Sequence, residues 1–102
     1  MNPNDFRLLL EKSNGYDTFM IKAQEFQESK NNSRKKKDRW NEGKVERATN
    51  AMWRQFVDSM YENISSNIEC NSQNKALKWQ QFIQKYQVIE NFTESVSELE
   101  FQ

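Results

Sequence analysis

Apolar positions recur at three- and four-residue intervals along most of this chain, the spacing of one face of an α-helix. Phe6, Leu9 and Leu10 mark a short first helix. Its opening "NPND" suits a helix start: Asn2 can cap, Pro3 fits the first helical position, and Asp5 lies near the positive end of the dipole. "SNG" (13–15) predicts its end, with Gly15 in a left-handed C-terminal position. Asp17 can cap a second helix, whose face is Phe19, Met20, Ala23 and Phe26, with Tyr16 packing back from just before the cap.

"SKNNS" (29–33) interrupts the pattern, and Asn32 or Ser33 can cap a third helix. This is expected to be the longest. Its stripe is Val45, Ala48, Met52, Phe56, Met60 and Ile64, widened on one flank by Trp53, Val57 and Tyr61. Gly43 costs it about 1 kcal/mol relative to Ala and marks a point where it could break. Residues 65–74 read as a loop. Asn71 or Ser72 can cap a fourth helix with the stripe Ala76, Trp79, Phe82, Ile83, Tyr86 and Ile89. Beyond it, Ser95 and Glu98 match a capping box, so 93–102 is expected to be a short helix or an extended segment. The predicted fold class is all-α: an irregular bundle of four main helices, with room for a short fifth, around a long central helix. Residues 1–92 form one helical domain in this reading, and 93–102 an acidic tail or short helix.

Composition sharpens the picture. A chain of 102 residues is one domain by size. Its apolar fraction is 35%, against about 45–50% in an average globular chain, so the core must be built from few side chains. Those few are large: seven Phe, three Trp and three Tyr, each able to bury about 150–250 Å². A second copy or a partner that completes so sparse a core fits this balance. Two Gly and one Pro are too few for the turns of a sandwich or barrel. Trp79 and Trp53 fall in or beside stripes and are expected in the core.

The candidate chemistry is mostly a matter of exclusions. No histidine is present, which removes the commonest general base and most metal sites. Cys70 is alone, so neither a disulfide within the chain nor a cysteine zinc site can form, and it is expected to be an ordinary free cysteine. Two isolated glycines cannot build a phosphate loop, and no Asp-rich calcium loop occurs. The expectation is therefore a non-enzymatic protein with no cofactor and no metal. The sequence shows no signal peptide and no long apolar run, so the expected location is the cytoplasm or the nucleus, with no membrane partner. Small Asn- and Lys-rich helical proteins of this kind are associated with phages and mobile elements, where many act as regulators or inhibitors. That association rests on no particular residue.

Charge is unevenly placed although the net charge is zero. Residues 31–47 hold seven basic and three acidic residues, a balance of +4, and the last fifteen residues hold four Glu and no basic residue. Continuing the third helix back through the basic stretch, at 100° per residue, puts Lys36, Trp40, Arg47 and Arg54 on the side opposite the apolar stripe. Lys37 and Lys44 fall beside them, while Asp38, Glu42 and Glu46 fall at the edge of the apolar side. Lys78 and Lys85 on the fourth helix, with Lys75, would extend the patch if the two helices lay side by side. A basic face holding a tryptophan has three readings. It is a solvated face, a docking surface for an acidic protein, or a grip on nucleic acid in which Trp40 stacks on a base. The pI of 6.3 lacks the strongly basic balance of nucleic-acid binders, so a protein-binding regulator or inhibitor leads and a nucleic-acid-binding accessory subunit follows. A homodimer is compatible with either. The acidic tail, with Phe92, Val96, Leu99 and Phe101, is also a candidate mask for the chain's own basic face.

Overall fold

The computed structural model describes residues 1–69, 71 and 73–101. Cys70 and Ser72, and the expectations attached to them, lie outside the described residues. Among the described residues the chain forms five α-helices and one 3₁₀ turn, with no strand: α1 (Pro3–Glu11), α2 (Asn14–Asn32), the turn (Lys36–Asp38), α3 (Glu42–Asn67), α4 (Lys75–Lys85) and α5 (Val88–Glu98). The fold is an all-α bundle around the long α3. No helix is long and apolar enough to cross a membrane among the described residues.

Local chemistry explains the element ends. Asn2 caps α1 by accepting a hydrogen bond from the Asp5 N–H at 2.8 Å, with Pro3 at the first position. The α1–α2 joint occupies only Lys12 and Ser13, and Gly15 lies inside the first turn of α2 with a negative φ. Its expected role as a left-handed stop is therefore corrected. What matters is its missing side chain: a Cβ there would stand 2.7 Å from Cε2 of Phe92 and 3.0 Å from Cα of Thr93. The glycine lets α5 lie directly on α2.

The third helix begins eight or nine residues later than the sequence predicts. Asn41 caps it, accepting from the Lys44 N–H at 2.8 Å. Residues 33–39 carry no apolar side chain to pay for helical order, and their cations would repel at three- and four-residue spacing. The buried line of α3 is Val45, Thr49, Trp53, Val57 and Ile64, rotated by about one position from the predicted stripe. Met52, Phe56, Met60 and Tyr61 are half-buried beside it. The reason is that α3 is covered from two sides, by α1 and by α2. The fourth helix starts at Lys75 after Asn74, while the Asn71 side chain instead accepts from the Gln73 and Asn74 N–H groups. It ends at Lys85, so Ile89 belongs to α5, which starts seven residues before the expected capping box at Ser95.

Aromatic rings tie the body together at two points. Trp53 lies 4.9 Å from Tyr16, 5.1 Å from Phe19 and 5.8 Å from Phe92, centroid to centroid, and its indole N–H donates to the Glu11 carboxylate at 3.0 Å. It thus joins α1, α2, α3 and α5. Trp79, on α4, stacks on Tyr61 at 4.8 Å and meets Phe6 at 5.8 Å. The acidic C-terminal segment is part of this body. Phe92 and Val96 are buried, and Phe101 packs on Phe19 and Phe26. The Lys22 ammonium donates to the carbonyls of Val96, Ser97 and Leu99 at 2.8–3.0 Å, satisfying the open end of α5.

The molecule is long for its mass. It measures 54 × 25 × 20 Å, with a radius of gyration of 16.3 Å where about 13 Å suits a compact domain of this size. The 26-residue α3 alone spans about 39 Å of that length. α1 meets α3 through Trp53 and Tyr61, and the segment after α5 reaches α2 at Phe26. Past these contacts the two long helices and the loop between them continue as an arm.

Candidate functional site

The arm ends in the loop 33–41, and its conformation is fixed by one amide. Asn31, in the last turn of α2, donates to the Trp40 carbonyl at 3.0 Å and accepts from the Trp40 N–H at 2.8 Å. The same oxygen accepts from the Arg34 guanidinium at 3.1 Å. Arg39 turns back to donate to the carbonyls of Arg34 and Asn32, at 3.3 and 3.2 Å, which places a cation at the negative end of α2. Between them Lys35, just before the 3₁₀ turn, and Lys36 and Lys37 on it are exposed.

Trp40 is half-buried and covered by cations. The Arg34 guanidinium carbon lies 3.8 Å from the ring centroid and the Lys44 ammonium 4.7 Å from it. Such contacts are each worth about 0.5–1 kcal/mol at a partly exposed site. They also hold two positive groups in place. Among the described residues one ion pair forms, Arg7 with Glu11 at 3.6 Å, so no carboxylate neutralises a cation of the tip.

Beneath the tip, a groove of about 590 Å³ runs between α2 and α3. Val45 and Thr49 are its buried floor, and Met20 and Trp40 its half-buried walls. The exposed carboxylates of Glu28, Glu42 and Glu46 stand around it, and its lining includes no cation. At its far end is Tyr16, whose phenol is held above its ordinary pKa by burial and by the nearby Glu11 and Asp17 carboxylates. Among the described residues no three His, Cys, Asp or Glu side chains come together as a metal site.

The predicted basic face divides under this geometry. Lys36 and Lys37 lie on the turn, Trp40 on the loop, and Lys44 and Arg47 in the first two turns of α3, where the Arg47 guanidinium lies beside Gly43. These five share the arm tip. They do not share one helix, because the helix starts only at Glu42. Arg54 stands about 15 Å further along the axis from Lys44, by Pro3, Arg7 and Asp58 in a shallow cleft at α1. Lys78 and Lys85 are on α4, which packs on α5 and meets α3 at Tyr61, about 26 Å from Lys44 along the helix. The two helices do not lie side by side along the patch, so these lysines do not extend it. The acidic tail does not cover the tip either, since it is docked on α2 through Phe101 and Lys22.

Arg34, Lys35 and Arg39 belong to the tip although sequence reasoning left them off the face. A helical projection drawn through a non-helical segment rotated them away. Asn31 gave no signal at all, because one asparagine in an Asn-rich run looks like any other. No family model matches this sequence, and no curated protein or solved structure matches it, so the reading of the arm rests on its own geometry.

Proposed function

We propose that this protein is a non-enzymatic regulator or inhibitor that binds the acidic surface of a partner protein through the basic tip of its arm. The observation that supports it most is the fixed, unneutralised cluster around Trp40. Arg34 and Lys44 are held over the ring, Asn31 locks the loop, and Lys35, Lys36 and Lys37 project from it. Groups already ordered lose less entropy on binding. Arg and Trp are enriched among interface hot spots, and the flanking lysines speed encounter with an acidic surface.

Nucleic acid is the second reading, favoured by the three adjacent exposed lysines, which suit a run of phosphates. Against it, two cations already lie over the Trp40 ring, and a stacking base would compete with them. Affinity capture from the native host separates the two. The wild type is compared with Lys36→Glu/Lys37→Glu/Arg47→Glu, each with and without nuclease. A protein retained after nuclease and lost with the variant supports the leading reading. Material lost on nuclease treatment supports the second. A set of captured molecules that the variant leaves unchanged sinks both.

A further inference from the structure

We infer that two copies of this chain pair through their arms, the basic loop of each seated on the acidic groove of the other. Both halves of that contact are present on every molecule. The groove lining holds Glu28, Glu42 and Glu46 and no cation, and the loop carries Lys35, Lys36 and Lys37, exposed and with no carboxylate partner among the described residues. Loop and groove share Trp40 as a boundary, yet among the described residues no ion pair forms between them within one molecule. Opposite charges side by side on one rigid element make a self-complementary patch. A two-fold axis between antiparallel arms brings each loop to the partner's groove, so that a contact made once is made twice.

The groove also has an apolar component for a partner to cover. Met20 and Trp40 are half-buried there over the buried Val45, and α1, only nine residues long, lies against the other end of α3. From Tyr16 to Asn31 the α2 side of the groove is about 22 Å long, and the molecule is 20 Å across in its narrowest dimension. A face within those dimensions is at most about 450 Å² per copy, at the low end of specific interfaces, so a weak dimer in the micromolar range is expected. The pairing does not rest on the tip having another partner. Where such a partner exists, it competes with the second copy for the same lysines.

Sedimentation velocity of the full chain, from about 1 μM to about 1 mM, tests the inference. The mass is expected to move from 12.3 kDa towards twice that value, and to return towards the monomer as salt is raised. Lys35→Glu/Lys36→Glu/Lys37→Glu and Glu28→Lys/Glu42→Lys/Glu46→Lys change only exposed side chains, and circular dichroism checks that each remains helical. Each is expected to be monomeric alone, because loop and groove then carry the same sign. Mixed in equal amounts, they should form a heterodimer, because both of its contacts again join opposite charges. A wild type that stays monomeric throughout overturns the inference, as does a dimer that both variants retain. So does a mixture that fails to pair.

Discussion

Trp53 and Trp40 belong to the same chain segment and face opposite kinds of neighbour. Trp53 is 4% exposed, ringed by Tyr16, Phe19, Phe56 and Phe92, and its one polar atom is satisfied by Glu11. Trp40 has Arg34 and Lys44 over its ring and its backbone held by an asparagine. The first builds a body in which rings from α2, α3 and α5 depend on one another and Glu11 ties in α1. The second shapes an arm whose order comes from a few polar contacts. A residue type alone therefore decides little; the number of apolar neighbours within reach decides whether a tryptophan is core or surface tool.

The largest expected effect is on the body. Trp53→Ala removes the joint between four helices and should cost about 3–5 kcal/mol, a large share of the stability of so small a domain. Thermal unfolding followed by circular dichroism measures it. Trp40→Ala, by contrast, should cost about 1 kcal/mol. If the two variants melted together, the division into body and arm would be wrong. Next in size is Gly15→Ala. Its Cβ would press on the Phe92 ring and the backbone at Thr93. The clash is expected to outweigh any helix-propensity gain, for a net loss of about 1–3 kcal/mol, with α5 amides exchanging faster than those of α3. An unchanged melting temperature would mean that α5 can shift without cost.

Much of the fold was legible because periodicity survives without knowledge of partners. The faces of α1, α2 and α4 follow from Phe6 and Leu10, Phe19 and Ala23, and Trp79. What could not be read was anything set by contacts between distant segments. Gly15 looked like a helix stop, and only the position of Phe92, 77 residues on, gives it a different task. The buried line of α3 shifted because two neighbours, not one, cover it. At the site, the basic character and the importance of Trp40 were visible, but its grouping was not. Residues 33–41 were drawn as helix, whereas Asn41 is the better cap and Asn31 provides a tether that no local pattern announces.

Lys22 and Asn31 test whether polar contacts act locally in body and arm alike. Lys22→Met keeps the aliphatic stem and deletes three donors to the end of α5. A loss of about 1–2 kcal/mol is expected, confined in hydrogen exchange to α5 and the residues after it. Asn31→Ala should cost about 1 kcal/mol or less in global melting, since the body does not depend on the loop. It should nonetheless release Trp40, read as a red shift in its emission against a background in which Trp53 and Trp79 are each replaced by Phe. Global unfolding of Asn31→Ala would show that the arm is continuous with the body after all.

The smallest effect concerns the corner between α4 and α5. Gln87 has φ 49° and ψ 50°, the left-handed region, where a side chain costs about 1 kcal/mol or more relative to glycine. The corner holds because Asn91 donates from its side chain to the Tyr86 carbonyl at 2.7 Å and from its backbone to the Gln87 carbonyl at 2.9 Å. Gln87 itself is exposed and its side chain caps nothing. Gln87→Gly therefore removes strain without removing a contact. Part of that gain is returned because glycine has more freedom in the unfolded chain, so the net change should be a stabilisation of up to about 1 kcal/mol. Denaturant unfolding at constant m-value is the measurement. A loss of stability would mean that the Gln87 side chain supports the corner. The body would then owe part of its closure to a polar group, as the arm does.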